Sequence, residues 1–102
     1  MLDVDGYPDE TSLERIEQYD LATESLDGLL ALIRENWNWP DWGFVRKGDD
    51  LWLHTGGWSG NEDVIGSLEN NAIFWLMFWE STRRGGHYHF DMSRPREDAA
   101  GE

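Results

Sequence analysis

The stretch from Trp52 to Phe90 constrains this chain more than any other part of it. It holds four of the seven tryptophans, all three histidines and six of the eleven glycines. At its centre, Gly56-Gly57-Trp58-Ser59-Gly60-Asn61 places three glycines in five residues. Such a run specifies a tight corner, because glycine takes positive φ angles and close backbone approaches that other residues resist. A chain built on such a corner must pack regular elements on either side of it.

Those elements follow from local pattern. Gly43 to Lys47 and Leu51 to Thr55 are short apolar runs separated by Gly48-Asp49-Asp50, which predicts a hairpin. Strand alternation puts Leu51, Leu53 and Thr55 on one face, and Trp52 and His54 on the other. After the corner, Ser59 or Asn61 can cap a helix running from Glu62 to Glu69 and closed by Asn70-Asn71; Ser59-x-x-Glu62 has capping-box form. Ala72 to Trp79 is apolar throughout. Its aromatic content and the Thr82-Arg83-Arg84-Gly85-Gly86 turn predict a strand paired with His87 to Met92, the alternative being a helix over Ala72 to Ser81.

Upstream, Met1 to Pro8 reads as a loosely ordered lead. Thr11-Ser12-Leu13-Glu14 has capping-box form and opens a short helix with Leu13, Ile16 and Tyr19 at helical spacing. Ser25 caps a second helix, whose Leu26, Leu29, Leu30, Ile33 and Trp37 form one stripe until Pro40 stops it. The order is therefore α-α-β-β-α-β-β. The pattern predicts a single α+β domain over residues 1–92, with helices on one face of a small antiparallel sheet and a flexible tail over 93–102. Its core should include Leu29, Leu30, Ile33, Phe44, Leu53, Ile65, Leu68 and part of Phe74 to Phe78.

Charge decides which functions suit this frame. With 21 acids against 8 bases, the net charge is −13 on 102 residues. A single lysine offers little for phosphate contacts, so direct nucleic-acid binding is disfavoured and a basic partner is favoured. Residues 1–41 carry 11 acids and 2 bases, so the excess lies on the helical half. Each carboxylate taken singly is an ordinary solvated helix residue. Taken together, Glu14, Glu17, Asp20, Glu24, Asp27 and Glu35 form a candidate partner-binding surface, with Trp39 and Trp42 as aromatic anchors. No cysteine is present, which excludes disulfides and thiolate chemistry. The start lacks the pattern of a signal peptide, and no apolar run approaches the length of a membrane helix, so the expected location is the cytoplasm of the host cell.

Catalytic readings are thin. Gly57-Trp58-Ser59-Gly60-Asn61 falls short of a nucleophile elbow, since G-x-S-x-G needs glycine where Asn61 stands. The glycine corner, Gly56 to Asn61, reads instead as structural. His87 and His89 share a strand face, and His54 on another strand can complete a three-nitrogen set, but short H-x-H pairs rarely need a metal. Arg83 and Arg84 are a candidate anion grip or an ordinary solvated turn. The sequence implies no cofactor and no metal.

Trp39-Pro40-Asp41-Trp42-Gly43-Phe44, Thr55-Gly56-Gly57-Trp58-Ser59-Gly60-Asn61-Glu62, Phe74-Trp75, Trp79 and Arg83-Arg84-Gly85-Gly86-His87-Tyr88 resemble a signature of small acidic proteins of tailed phages and prophages. The resemblance covers about residues 8 to 92. It implies phage context rather than a reaction, and small acidic phage proteins often resemble inhibitors of host defence. Two functions are thus expected in competition. The first is a non-enzymatic interaction protein, an anti-CRISPR or anti-restriction inhibitor, whose carboxylates mimic nucleic acid in the basic groove of a CRISPR effector or restriction enzyme. The second is a small enzyme or ligand binder using Trp58, Ser59 and Asn61 with Arg83 and His87.

Overall fold

A computed structural model describes residues 2–93. The sheet grows from two hairpins. In the first, β1 (Phe44–Lys47) and β2 (Asp50–His54) are joined by Gly48-Asp49, with Gly48 at φ 59°, the first central position where a two-residue hairpin turn takes glycine. In the second, β3 (Trp79–Arg83) and β4 (His87–Asp91) are joined through Arg84, Gly85 and Gly86, the glycines at φ 89° and 80°. Antiparallel pairing of β2 with β4 fuses the hairpins into one sheet of order β1-β2-β4-β3.

The helices are α1 (Glu10–Glu17), α2 (Leu26–Glu35), the single turn α3 (Pro40–Gly43), α4 (Ser59–Asn70) and α5 (Ala72–Phe78). The architecture is α+β, and the order α-α-β-β-α-β-β is present with α3 and α5 added to it. Leu51, Leu53 and Phe90 on the inner sheet face join Ile16, Leu29, Ile33, Trp37, Val64, Leu68, Phe74 and Phe78 of the helical layer in one buried cluster. Burying these side chains, at about 1.5 to 3 kcal/mol each, is what holds the helical layer to the sheet. Of the expected core, Phe44 is only half-buried and packs against the cluster from its edge.

The largest correction falls on residues 72–79. Residues 72–78 form α5, and the strand that pairs with β4 is the following segment, Trp79–Arg83. Helical spacing decides it: Phe74 and Phe78, four residues apart, are buried and meet at 5.2 Å, while Ile73 and Leu76 face solvent. Asn71 starts the helix by accepting the Phe74 N–H at 3.2 Å.

Two helix starts and one helix end also differ from expectation. Asp9, not Thr11, caps α1, its carboxylate accepting the Ser12 N–H at 2.7 Å. That bond holds the Asp9 carboxyl below its ordinary range. Ser25 caps α2 through the Gly28 N–H as expected, but α2 ends at Glu35, ahead of Trp37 and Pro40, and Pro40 instead opens α3. Neither Ser59 nor Asn61 caps α4. Trp58 is the cap residue, and it makes no side-chain cap bond.

From Leu2 onward the lead is ordered. Asp3 accepts the Asp5 and Tyr7 N–H groups, Leu2 bridges to Pro8, and Tyr7 stacks on Trp58 at 4.8 Å. Of the expected tail, residues 94–102 lie outside the described residues. Among the described residues no helix is long and apolar enough to cross a membrane.

Candidate functional site

The corner of glycines is a structural joint. Asn61 is buried, accepts the Asn38 N–H at 2.7 Å, and donates to the carbonyls of Asn38 at 3.1 Å and Thr55 at 3.2 Å. Trp58 donates its indole N–H to the Gly6 carbonyl, Gly60 is buried, and Ser59 lies 3.4 Å from the Tyr7 hydroxyl. Gly56 and Gly57 take φ 63° and 75°, as the corner requires. The Asn61 side chain thus bonds backbone through its amide nitrogen and its oxygen alike, which leaves it no donor for a ligand.

That joint fixes something nearby. With both backbone polar groups of Asn38 held by Asn61, the next residue, Trp39, takes a left-handed backbone at φ 57° and ψ 58°. Trp39 is the only non-glycine residue at positive φ among those described, and 64% of it is exposed. A bulky residue there carries about 1 to 2 kcal/mol of strain. Trp42, one turn on, is also exposed, and its ring lies 5.8 Å from that of His54.

The acidic residues expected to form one surface divide into two kinds. Glu24 is bonded by Arg15, and that guanidinium holds its carboxyl below the ordinary range; Asp27 pairs with Arg46 at 3.2 Å. Glu14, Glu17, Asp20 and Glu35 are exposed and have no cationic partner among the described residues. Glu14 and Glu17 stand one turn apart on the outer side of α1, opposite the buried Ile16.

The second constellation lies on the outer face of the sheet. Cross-strand register sets Val45, Trp52, His89 and Ser81 in one row, and His54, His87 and Arg83 in the next. Together Trp52, His54, Ser81, Arg83, His87 and His89 line an open cavity of about 500 Å³. The Nδ1 atoms of His54 and His87 are 2.8 Å apart, so one ring donates its proton to the other. Burial, and then the neighbouring His87, holds the His54 imidazole below its usual range. His89 stacks on Trp52 at 5.0 Å and 9°, and its Nε2 bonds Asp50 at 2.9 Å. The three histidines therefore divide into a pair and a carboxylate-bound third ring. No group of three or more His, Asp or Glu side chains among the described residues is arranged to hold a metal.

Arg83 and His87 are brought together, but Ser59 and Asn61 do not line their cavity, so the composite corner set out from the sequence is not one site. Arg84 sits exposed in the turn, outside the cavity lining. Strand alternation already puts Trp52 with His54 and His87 with His89. The pairing of β2 with β4, which unites those faces, has no local signal, and the expected strand over residues 72–79 left Ser81 out of view. Comparison of the chain with protein-family models, with curated proteins and with solved structures returns no match.

Proposed function

We propose that this protein acts by binding a basic macromolecular partner, with Trp39 and Trp42 as anchors and the helix carboxylates as the complementary charge. The observation that carries this reading is Trp39. Stability is given up to hold a large apolar ring in left-handed backbone and in water, a combination that folding alone disfavours and an interface anchor explains. Charge names the partner class: at −13, the chain is attracted to a groove built for phosphates. Glu14, Glu17, Asp20 and Glu35, which no cation neutralises among the described residues, form the first surface to meet it, and Glu24 and Asp27 join only by leaving Arg15 and Arg46. With the phage-like signature, the finer proposal is a host nucleic-acid-processing enzyme, a CRISPR effector or restriction enzyme, inhibited by occupation of its groove. The protein itself carries out no reaction in this reading.

Displacement of DNA from a panel of purified effectors and restriction enzymes, read at two salt concentrations, tests the proposal. Inhibition should weaken with salt, since charge steering is screened over about 8 Å at physiological ionic strength. Reversing Glu14, Glu17, Asp20 and Glu35 to Lys should weaken inhibition more than reversing Asp5, Asp49, Asp63 and Glu69, which are also exposed and give the same change in net charge. Trp39→Gly should lower affinity at least about tenfold, as loss of an anchor does, yet leave Tm unchanged or raised because glycine relieves the left-handed backbone. A quadruple reversal that inhibits as well as the parent sinks the reading.

A further inference from the structure

We infer that the cavity on the open face of the sheet binds a phosphomonoester, its phosphate held between the Arg83 guanidinium and the His54–His87 pair, with the Trp52 ring beside its organic part. The first ground is an uncommitted cation. In a chain with 21 acids to 8 bases, Arg15, Arg34 and Arg46 each sit on a carboxylate. Arg83 has no such partner among the described residues, though it lies directly across from His87 and lines the cavity. A guanidinium is the side chain whose fork of donors fits phosphate oxygens best.

The second ground is the histidine pair. Two imidazoles joined through their Nδ1 atoms at 2.8 Å leave one Nε2–H as a donor and the other Nε2 as an acceptor. One added proton turns both into donors. Burial and the proximity of His87 oppose that proton on His54 in the free protein, and a bound dianion favours it, so binding takes up a proton. The charged and titratable groups around the pair are Arg83 on β3, Tyr88 on β4, which also lines the cavity, His89 with Asp50 one row away, and Glu62 of α4, which Thr55 approaches at 3.5 Å. None of these is a carboxylate bonded to His54 or His87, so no internal anion already fills the place.

The third ground is room. A cavity of about 500 Å³ falls within the range of small-molecule sites, and it opens on the sheet face opposite the buried cluster. Phosphate suits it better than carboxylate because its three oxygens match three donors, the guanidinium and the two imidazole Nε2–H groups of the protonated pair.

Titration calorimetry of the full chain with AMP, inorganic phosphate and adenosine tests the inference. AMP should bind saturably and inorganic phosphate should compete with it, while adenosine should not bind. AMP affinity should be higher at about pH 6 than at about pH 8, as proton uptake requires. Arg83→Gln should weaken AMP at least about tenfold, the loss typical of one charge-assisted contact, and the double variant His54→Gln/His87→Gln should lose the preference for about pH 6. Arg84→Gln should bind as the parent does. Arg83 is exposed, so its variant should unfold at the parental temperature and report on binding alone. Adenosine binding as well as AMP, equal losses from Arg83→Gln and Arg84→Gln, or no competition by phosphate would each overturn it. None of these outcomes bears on the acidic face and Trp39.

Discussion

Gly28 and Gly66 both stand inside helices, where glycine ordinarily costs about 0.5 to 1 kcal/mol relative to alanine. Their surroundings give the same substitution opposite signs. A Cβ at Gly66 meets nothing within 4 Å, so Gly66→Ala should raise stability by about 0.5 to 1 kcal/mol. A Cβ at Gly28 would lie 2.3 Å from the Tyr19 hydroxyl, which donates to the Ser25 carbonyl at 2.7 Å. Gly28→Ala should therefore destabilise by about 1 to 3 kcal/mol, the range for overpacking. Urea denaturation of both variants checks the pair, and a stabilising Gly28→Ala would mean Tyr19 is free to move. The sequence treats these two glycines alike. Only the fold, which returns Tyr19 to the first turn of α2, separates them, just as it alone sets Trp39 in left-handed backbone.

At the scale of elements, one residue ties three helices together. Asn71 closes α4, caps α5 through the Phe74 N–H, and donates to the carbonyls of Ile16 and Tyr19 at 3.0 Å each, where α1 ends. It is buried, so each lost bond leaves a desolvated group unpaired. Asn71→Ala should cost about 2 to 4 kcal/mol, and Asn71→Asp at least as much, because it keeps the cap oxygen yet removes the donor from two carbonyls and buries charge. Chemical denaturation measures both. A loss below about 0.5 kcal/mol, that of an ordinary surface change, would show the joint to be dispensable. The same residue explains what is legible in the sequence. The stripes of α1 and α2, the first hairpin and the closing role of Asn71 are local patterns and can be read directly. Residues 72–79 cannot, since periodicity vanishes in an all-apolar run where no polar residue marks a face. What selects helix is Asn71 at its head and the burial of Phe74 and Phe78 on one side, and the latter is a tertiary fact.

For the whole molecule, two electrostatic effects of opposite sign compete. The pairs Arg15–Glu24, Arg34–Asp41 and Arg46–Asp27 lose strength with salt, but all lie at the surface, where water already weakens them. Repulsion among 21 acids loses strength too, and at a net charge of −13 it outweighs those three attractions. Tm should thus rise as sodium chloride goes from about 0.02 to about 0.3 M, where screening shortens to under 10 Å. A falling Tm would show that the ion pairs, not the excess of acids, govern stability. The acidic helical half is legible from charge counting alone. The cavity is legible only as two separate alternations, because nothing local says that β2 lies beside β4.

That pairing has a consequence in time. Each hairpin closes through a turn of two or three residues, whereas the contact of His54 with His87 spans 33 positions of chain and must wait for α4 and α5 to fold back. Loop closure of that length is slow relative to hairpin formation, which makes the β2–β4 seam the late event of assembly. Truncations across the seam, such as Leu53→Ala and Phe90→Ala, should mainly speed unfolding, while Val45→Ala within the first hairpin should slow refolding. Stopped-flow chevrons would show it, and refolding slowed equally by all three would place the seam in the nucleus. The histidine pair then comes into being only at the last stage, so no partly folded chain presents it, and its proton exchange is a clock for completion of the fold.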